Sequence, residues 1–381
     1  MDQFYRMTPL EVASGWVAGY EKAETHASDA GADPLAALEN LLSPPLESPP
    51  CFVEFSGGRD SSALLAVAVN VARRHGLALP VPITRIFPDV PESREDDWQE
   101  EVVRHLGLSE WHRIEYTDEF DLLGPTAMRS LRQHGLIWPA TIHTRALVWE
   151  AAGGGTVVSG EGGDEVFGRR RISPLAGLLA KNVHPRKRAV AMTLEAFAPR
   201  PIRRSLIGRD LRQHEDRLWL REDAQREFRS KLIEDRLTEP LWWDHATRRH
   251  RHRRADWLGI HNLRLSAAMI GVSYLAPFHD VVFLDALANR GGRLGFPGRS
   301  AAMRDLFGEL LPRKVLERES KAEFTRTFVC RESRSFMVNW NGDGLENDLV
   351  DAEALKREWE GERPHAGTLP LLQAAWLALG G

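Results

Sequence analysis

Cysteine is nearly absent from the 381 residues. Cys51 and Cys330 are too few for a thiolate metal cluster or a disulfide framework, and their scarcity fits a reducing cytoplasm. Long apolar runs are missing as well. No uninterrupted stretch reaches the roughly 18 residues that a membrane-spanning helix needs, and the chain does not open on a charged n-region followed by an apolar h-region. The sequence therefore reads as cytoplasmic, with no membrane partner. Its 14 histidines show no metal-ligand spacing, and His250 and His252, inside the basic run RRHRHRR, read as surface residues. No internal repeat is found. What remains is the composition of a globular chain, 43% hydrophobic and 27% charged. At this length the expectation is a large α/β core with a helical region, or two closely packed domains, stable without staples.

The net charge of -4 conceals an asymmetry. Residues 169–264 hold 24 Lys and Arg against 12 Asp and Glu, a local +12, which leaves -16 on the rest. Such a division points either to a basic surface for an anionic partner or to an Arg-rich helical region whose charges are solvated.

Residues 1–42 read as helical, with a start signal at Asp33-Pro34. The stretch SPPLESPP (43–50) reads as a helix break and a linker, because proline supplies no N–H and restricts its predecessor. From Cys51 onward, short apolar runs end in Gly-rich turns and alternate with longer amphipathic segments. Strands are expected at 51–55, 81–87, 111–116 and 155–160, and helices at 61–76, 96–107 and 143–152. That alternation predicts βαβ units and a parallel sheet. After Phe167 strand signals nearly vanish and helical spacing dominates to the C-terminus. The expected fold is thus α/β, a parallel-sheet core followed by a mostly helical C-terminal region.

The most informative segment is Phe55-Ser56-Gly57-Gly58-Arg59-Asp60-Ser61-Ser62, where a buried strand turns into a helix. Gly57 and Gly58 allow torsions and close approaches that a Cβ would obstruct, so successive N–H groups can surround an anion. Ser56, Ser61 and Ser62 add hydroxyls, and the start of the next helix adds its partial positive charge. Together these suit pyrophosphate, with Asp60 as a hard oxygen ligand for the accompanying Mg²⁺. The Gly-Lys-Ser/Thr ending of a Walker A loop is lacking, which argues against kinase or GTPase chemistry. The loop resembles the SGGxDS motif of the PP-loop ATP-pyrophosphatases, which cleave ATP between the α and β phosphates. A second cluster follows the strand at 155–160: Gly160-Glu161-Gly162-Gly163-Asp164-Glu165-Val166-Phe167-Gly168. Ligands of an open α/β sheet bind at the carboxyl ends of its strands, so this cluster is expected to face residues 56–62 across one crevice. Asp60 and Asp164 would there hold Mg²⁺ against the phosphates.

Taken together, SGGRDSS and SGEGGDEVFG resemble the synthetase domain of asparagine synthetases, whose second motif is usually SGEGADE-x-FGG. The likeness runs in order over roughly residues 50–330. Trp138-Pro139 stands where the family has an acidic-Pro pair, Ala276-Pro277-Phe278-His279-Asp280 resembles its VPFLD segment, and Glu319-Ser320-Lys321-Ala322-Glu323-Phe324 stands where it has a basic run. The resemblance implies an adenine-nucleotide α-hydrolase-like core at 49–168, preceded by an N-terminal helical segment and Pro-rich linker at 1–48. An Arg-rich helical synthetase region at 169–381 would pack on that core. It implies ATP bound by Phe55, Ser56, Gly57, Gly58, Asp60, Ser61, Ser62, Gly160 and Asp164, with Asp60 and Asp164 as the magnesium ligands. It further implies Glu161 as acceptor of a proton from the attacking amine, where β-lactam synthetases carry tyrosine, and Lys321 as the charge that neutralises pyrophosphate.

Two departures bear on the substrates. Glutamine-dependent members start with a nucleophilic cysteine and a glutaminase domain, whereas this chain reads Met-Asp-Gln and reaches the phosphate loop by residue 56. The nitrogen is therefore expected from free ammonia, a partner protein or an amine on the substrate. The family's E-x-R-x-P-F arrangement has Ser273 and Leu275 in its charged places, and losing a charge pair there disfavours a small dianionic acid such as aspartate. A larger acid, such as a peptide side chain, is then expected, as in lasso-peptide cyclases, which close a macrolactam on a precursor peptide. The 12 tryptophans and the basic helical half offer a surface for such a peptide or a partner protein; singly, Trp242, Trp243 and Trp257 read as helix packing. The competing functions are an ammonia-dependent asparagine synthetase, a tRNA-modifying PP-loop enzyme and a non-catalytic peptide-binding homologue. The GEGGDE motif and the lack of cysteine clusters argue against nucleic acid. The retained Ser56, Asp60, Glu161 and Asp164 argue against a scaffold.

Overall fold

The computed structural model describes residues 3–21, 33–180, 187–214, 217–318 and 322–381. A parallel five-stranded sheet forms its centre, in the order β3-β2-β1-β4-β5. The strands are β1 (Cys51–Glu54), β2 (Val81–Ile86), β3 (His112–Glu115), β4 (Thr156–Val158) and β5 (Ser273–Leu275). In register, Phe52 stands beside Val81 and Val157, and Val158 beside Leu275. From β1 the chain builds outward through β2 to β3, then returns to place β4 on the other side of β1. The order therefore reverses between β1 and β4, and such a reversal splays the two following loops apart to leave a crevice. The loops that leave those two strands are the two glycine-rich motifs.

The first four strands fall where alternation predicted them, each trimmed by one to three residues at its ends. The fifth was not foreseen. Ser273–Leu275 is three residues long with an exposed first residue, too short for a period of two to register. It carries the C-terminal segment into the sheet.

The helix Arg59–His75 is apolar on nearly every side, with Leu64, Leu65, Val67, Ala68 and Val71 buried, as befits an element enclosed by others. It ends at Gly76 with φ 66°, as expected of a left-handed cap. Against it packs the helix Pro34–Glu47, started by the Asp33 side chain accepting from the N–H groups of Leu35 and Ala36.

That helix corrects the linker reading, for it runs through Ser43, Pro44, Pro45 and Leu46 to Glu47. Interior prolines cost about 3 kcal/mol or more through the lost bond and the clash with the preceding turn. Here both lie in the last turn, and Leu38, Leu42 and Leu46 form one buried stripe. Each fully buried leucine returns about 1.5–3 kcal/mol, so tertiary packing outweighs the local breaker. Of the helical reading for 1–42, the described residues 3–21 hold one short helix, Pro9–Ser14, with a Thr8–Glu11 capping box, and Gly15 ends it in the left-handed region.

Beyond Phe167 the regular structure of the described chain is helical apart from β5 and isolated bridges that join Leu220 to Val350 and Arg253 to Tyr20. The helix Val281–Gly291 packs on both Trp243–His250 and Pro34–Glu47. Trp243 is buried there, edge-on to Phe296 at 5.5 Å, Trp242 lies under Arg293, and Trp257, 40% exposed, tilts against Tyr5 at 4.8 Å. Much of the basic excess is matched inside the chain. Arg200 and Arg204 meet Glu234, Arg236 meets Asp210, and Arg248 and Arg251 meet Asp285. No described helix is long and apolar enough to cross a membrane.

If burial of the leucine stripe carries the helix across its prolines, Leu42→Ala should destabilise the protein by about 2–5 kcal/mol. Denaturant unfolding measures this, and a loss well under that range would mean the prolines are tolerated for another reason.

Candidate active site

The two turns touch. A Cβ at position 163 would overlap the Asp60 carboxyl, and one at position 160 would lie 3.1 Å from the Ser61 nitrogen. With no Cβ at either place, the second motif lies close against the first. Gly57, at φ 81°, sits where a Cβ would press on Gln99 at 2.8 Å, and Gln99 in turn donates its Nε2 to the Ser56 carbonyl at 3.1 Å. Within the loop, the N–H of Gly58 donates to Ser56 Oγ at 3.2 Å, the N–H of Ser56 to Ser61 Oγ at 3.2 Å, and Ser61 Oγ to the Gly58 carbonyl at 3.2 Å. These bonds hold the two hydroxyls beside the helix N-terminus.

Ser56, Gly58, Asp60, Ser61, Gly160 and Asp164 line one crevice of about 370 Å³, and Glu161 stands on the same wall. Phe55 also lines the crevice. Its ring is buried against Trp111, and its carbonyl already accepts from Thr84 Oγ1 at 2.7 Å. Gly57 and Ser62 are not on the wall; Ser62 is fully buried, its Oγ without a partner among the described residues. Lys321 lies outside the described residues. Arg318 and Ala322, to either side of it in sequence, both line the crevice.

Asp60 and Asp164 converge on one cation, the Arg299 guanidinium, which bonds both carboxylates. Burial raises the Asp60 pKa, and Arg299 opposes that rise. Asp60 Oδ1 is buried without a hydrogen-bond partner among the described residues. Two hard oxygen donors, one holding an unfilled acceptor, fit a magnesium ion.

Glu161 faces a second arginine. Arg145 donates to Glu54 at 3.0 Å and to Glu161 at 3.3 Å, and Ser159 Oγ donates to the same Glu54 oxygen at 3.1 Å. Burial alone would lower the Arg145 pKa, but the two glutamates more than reverse it, so its charge is fixed. For Glu161 the loss of hydration inside the crevice walls raises the pKa, Arg145 opposes it, and Glu54 and Glu165 add to it. Its side chain is still 45% exposed to the open crevice; the water reaching it moderates the rise until a substrate fills the space. Below them Tyr274 of β5 is buried, and lost hydration with the negative charges of Glu54 and Glu161 keeps its hydroxyl protonated.

Arg318 ties the phosphate loop to the far wall. It donates to the Gly57 carbonyl at 2.8 Å and to Glu95 at 2.7 Å, with a second bond to the same carboxylate. Both side chains are under 10% exposed.

Sequence reasoning missed Arg145, Arg299, Arg318 and Glu95. A lone arginine carries no periodicity, and only its placement by the fold gives it meaning. His250 needs correction also: it is 3% exposed, not a surface residue, and burial holds its imidazole neutral. Its position at the end of the helix Trp243–His250 turns it inward, out of the basic run that suggested otherwise.

Removing the Glu95 carboxylate takes from the buried Arg318 guanidinium the carboxylate that it bonds twice beneath the loop. Glu95→Ala should therefore cost about 3–5 kcal/mol of stability, read from thermal or denaturant unfolding. A variant as stable as the parent would take this pair out of the account.

No curated protein sequence matches the chain. The family profile for asparagine synthase matches residues 47–378, a span that holds both turns, all five strands and the arginines around the crevice. That family forms amides at the expense of ATP, and a site with a phosphate-suited loop, paired aspartates and a poised glutamate is consistent with it. The chain belongs to the asparagine synthase family.

Proposed function

We propose that the chain adenylates a carboxylate, releases pyrophosphate and passes the acyl group to an amine with loss of AMP. The observation that carries this reading is the meeting of Asp60 and Asp164 on a single cation, because two carboxylates from the ends of β1 and β4 then reach one magnesium. Magnesium held by Asp60 and Asp164 would offset phosphate charge. The chain's own residues account for the remainder. Ser56, Gly58 and Ser61, with the start of the helix Arg59–His75, cradle the β and γ phosphates. Arg299 and Arg318, together with Lys321, balance the charge that builds up as the carboxylate oxygen bonds the α-phosphorus and the bond to pyrophosphate breaks. The amine nitrogen then attacks the acyl carbon, the bond to AMP breaks, and Glu161, held by Arg145, takes the amine proton.

The carboxylate is proposed to belong to a peptide, with macrolactam formation in natural-product biosynthesis as the outcome. Ser273 is exposed and Leu275 packs against apolar core residues, so β5 offers no charge pair to a small diacid. A cavity of about 390 Å³, lined by Trp16, Tyr20, Arg169, Arg170 and Arg253 among others, adjoins the second motif in sequence and combines aromatic faces with positive charge. That combination suits an acidic or aromatic peptide segment.

Glu161→Gln should leave ATP–pyrophosphate exchange intact while slowing amide formation by about 10²–10⁴-fold; wild-type amide yield in that variant would remove Glu161 from the mechanism. Asp60→Asn should suppress both steps. The pH dependence has a fixed sign. Glu161 accepts a proton only when ionised, and its pKa is raised, so amide formation should fall away on acidification at a higher pH than an ordinary glutamate would give, while exchange persists. Pyrophosphate release with aspartate and ammonium, compared with acidic peptides, decides the substrate: release with aspartate alone would make the chain an ammonia-dependent asparagine synthetase.

A further inference from the structure

Away from the phosphate crevice, three side chains meet behind the second motif. His250 ends the helix Trp243–His250, Asp256 lies in the first turn of the helix Arg254–Ala268, and His279 precedes the helix Val281–Gly291. One donor atom of each lies within 4.8 Å of the other two. His250 Nε2 and Asp256 Oδ2 are 3.4 Å apart, both buried, and neither has a hydrogen-bond partner among the described residues. The two imidazole rings lie 22° from parallel with centroids 6.0 Å apart. Two ligands bound at about 2.0–2.1 Å to one tetrahedral ion stand roughly 3.3 Å from each other, which is close to the observed His250–Asp256 separation. Two imidazoles and one carboxylate suit a borderline divalent ion rather than magnesium.

We propose that His250, Asp256 and His279 form a zinc site, with water in the fourth position, distinct from the Asp60–Asp164 pair. Arg253, 3.6 Å from the Asp256 carboxylate, then serves as its outer partner and orients it. The charges facing the cluster are mixed. Arg170 and Arg253 oppose a cation, and Glu161 and Glu165 favour it. The His279 ring lies so close to Gly162 that a Cβ there would overlap it. An ion bound here therefore fixes the GEGGDE turn from behind. Its role is to position Glu161 and Asp164, not to touch the reacting atoms.

The test uses the full chain incubated with equimolar Zn²⁺, desalted in excess Mg²⁺ and assayed by elemental analysis. The unmodified protein should retain about one zinc per chain, and His279→Leu and Asp256→Asn should each retain almost none, while Asp60→Asn keeps it. Cobalt substitution of the unmodified protein should give the intense visible bands of a low-coordinate site, a readout that does not depend on the variants folding. No retained zinc, a cobalt spectrum like that of the aqueous ion, undiminished zinc in both ligand variants, or zinc lost with Asp60→Asn would each overturn the assignment.

Discussion

The crevice depends on a close approach: Gly163 and Gly160 lie against Asp60 and Ser61 with no Cβ between them. The sheet supplies the rest. Because β1 and β4 are neighbours with their carboxyl ends side by side, the loops that leave them start a strand spacing apart, about 4.7–4.9 Å. A Cβ at 163 would require the Asp60 carboxyl or the turn to shift, and one at 160 would need a few tenths of an ångström from Ser61. Glycine at these places serves the close approach rather than a turn type, since neither has the positive φ that Gly57 and Gly162 show.

The crevice balances acids against arginines in two sets. Arg299 joins Asp60 and Asp164, while Arg145 joins Glu54 and Glu161. In the proposed mechanism the first set serves the phosphate side and the second the side where the amide would form. Each arginine is bonded to two carboxylates, so neither set leaves a half-buried charge unmatched, and in a partly desolvated space that matters more than the strength of any one pair. The arrangement also separates the roles of the glutamates. Glu54, the less exposed of the two, anchors Arg145, which leaves the more exposed Glu161 open to the crevice.

What could be read in advance follows from how local each signal is. The strands before Phe167, the loop at 56–62 and the turn at 160–168 declare themselves within a few residues, through alternation, paired glycines and acids at a strand end. The helix through Pro44 and Pro45 could not be read, because its stability comes from leucines packed on a distant helix. β5 was missed because three residues carry no period. Arg145, Arg299 and Arg318 are three among 50 basic residues, and nothing in their immediate neighbours distinguishes them. His250 was misjudged because the charge of its neighbours in sequence was taken to speak for its surroundings, whereas one helical turn suffices to bury a residue flanked by solvated ones.

β5 carries one more implication, for the timing of assembly. Its partner β4 ends at Val158, and β5 begins at Ser273, so a long helical excursion must be synthesised before the sheet gains its last strand. Until then one edge of β4 has no neighbour, and Ser159 has no Leu275 carbonyl to receive its N–H. Pairing over such a sequence distance is slow to form. A nascent chain that has already emitted both glycine turns still lacks β5 and the later Arg299 and Arg318 that line the same crevice.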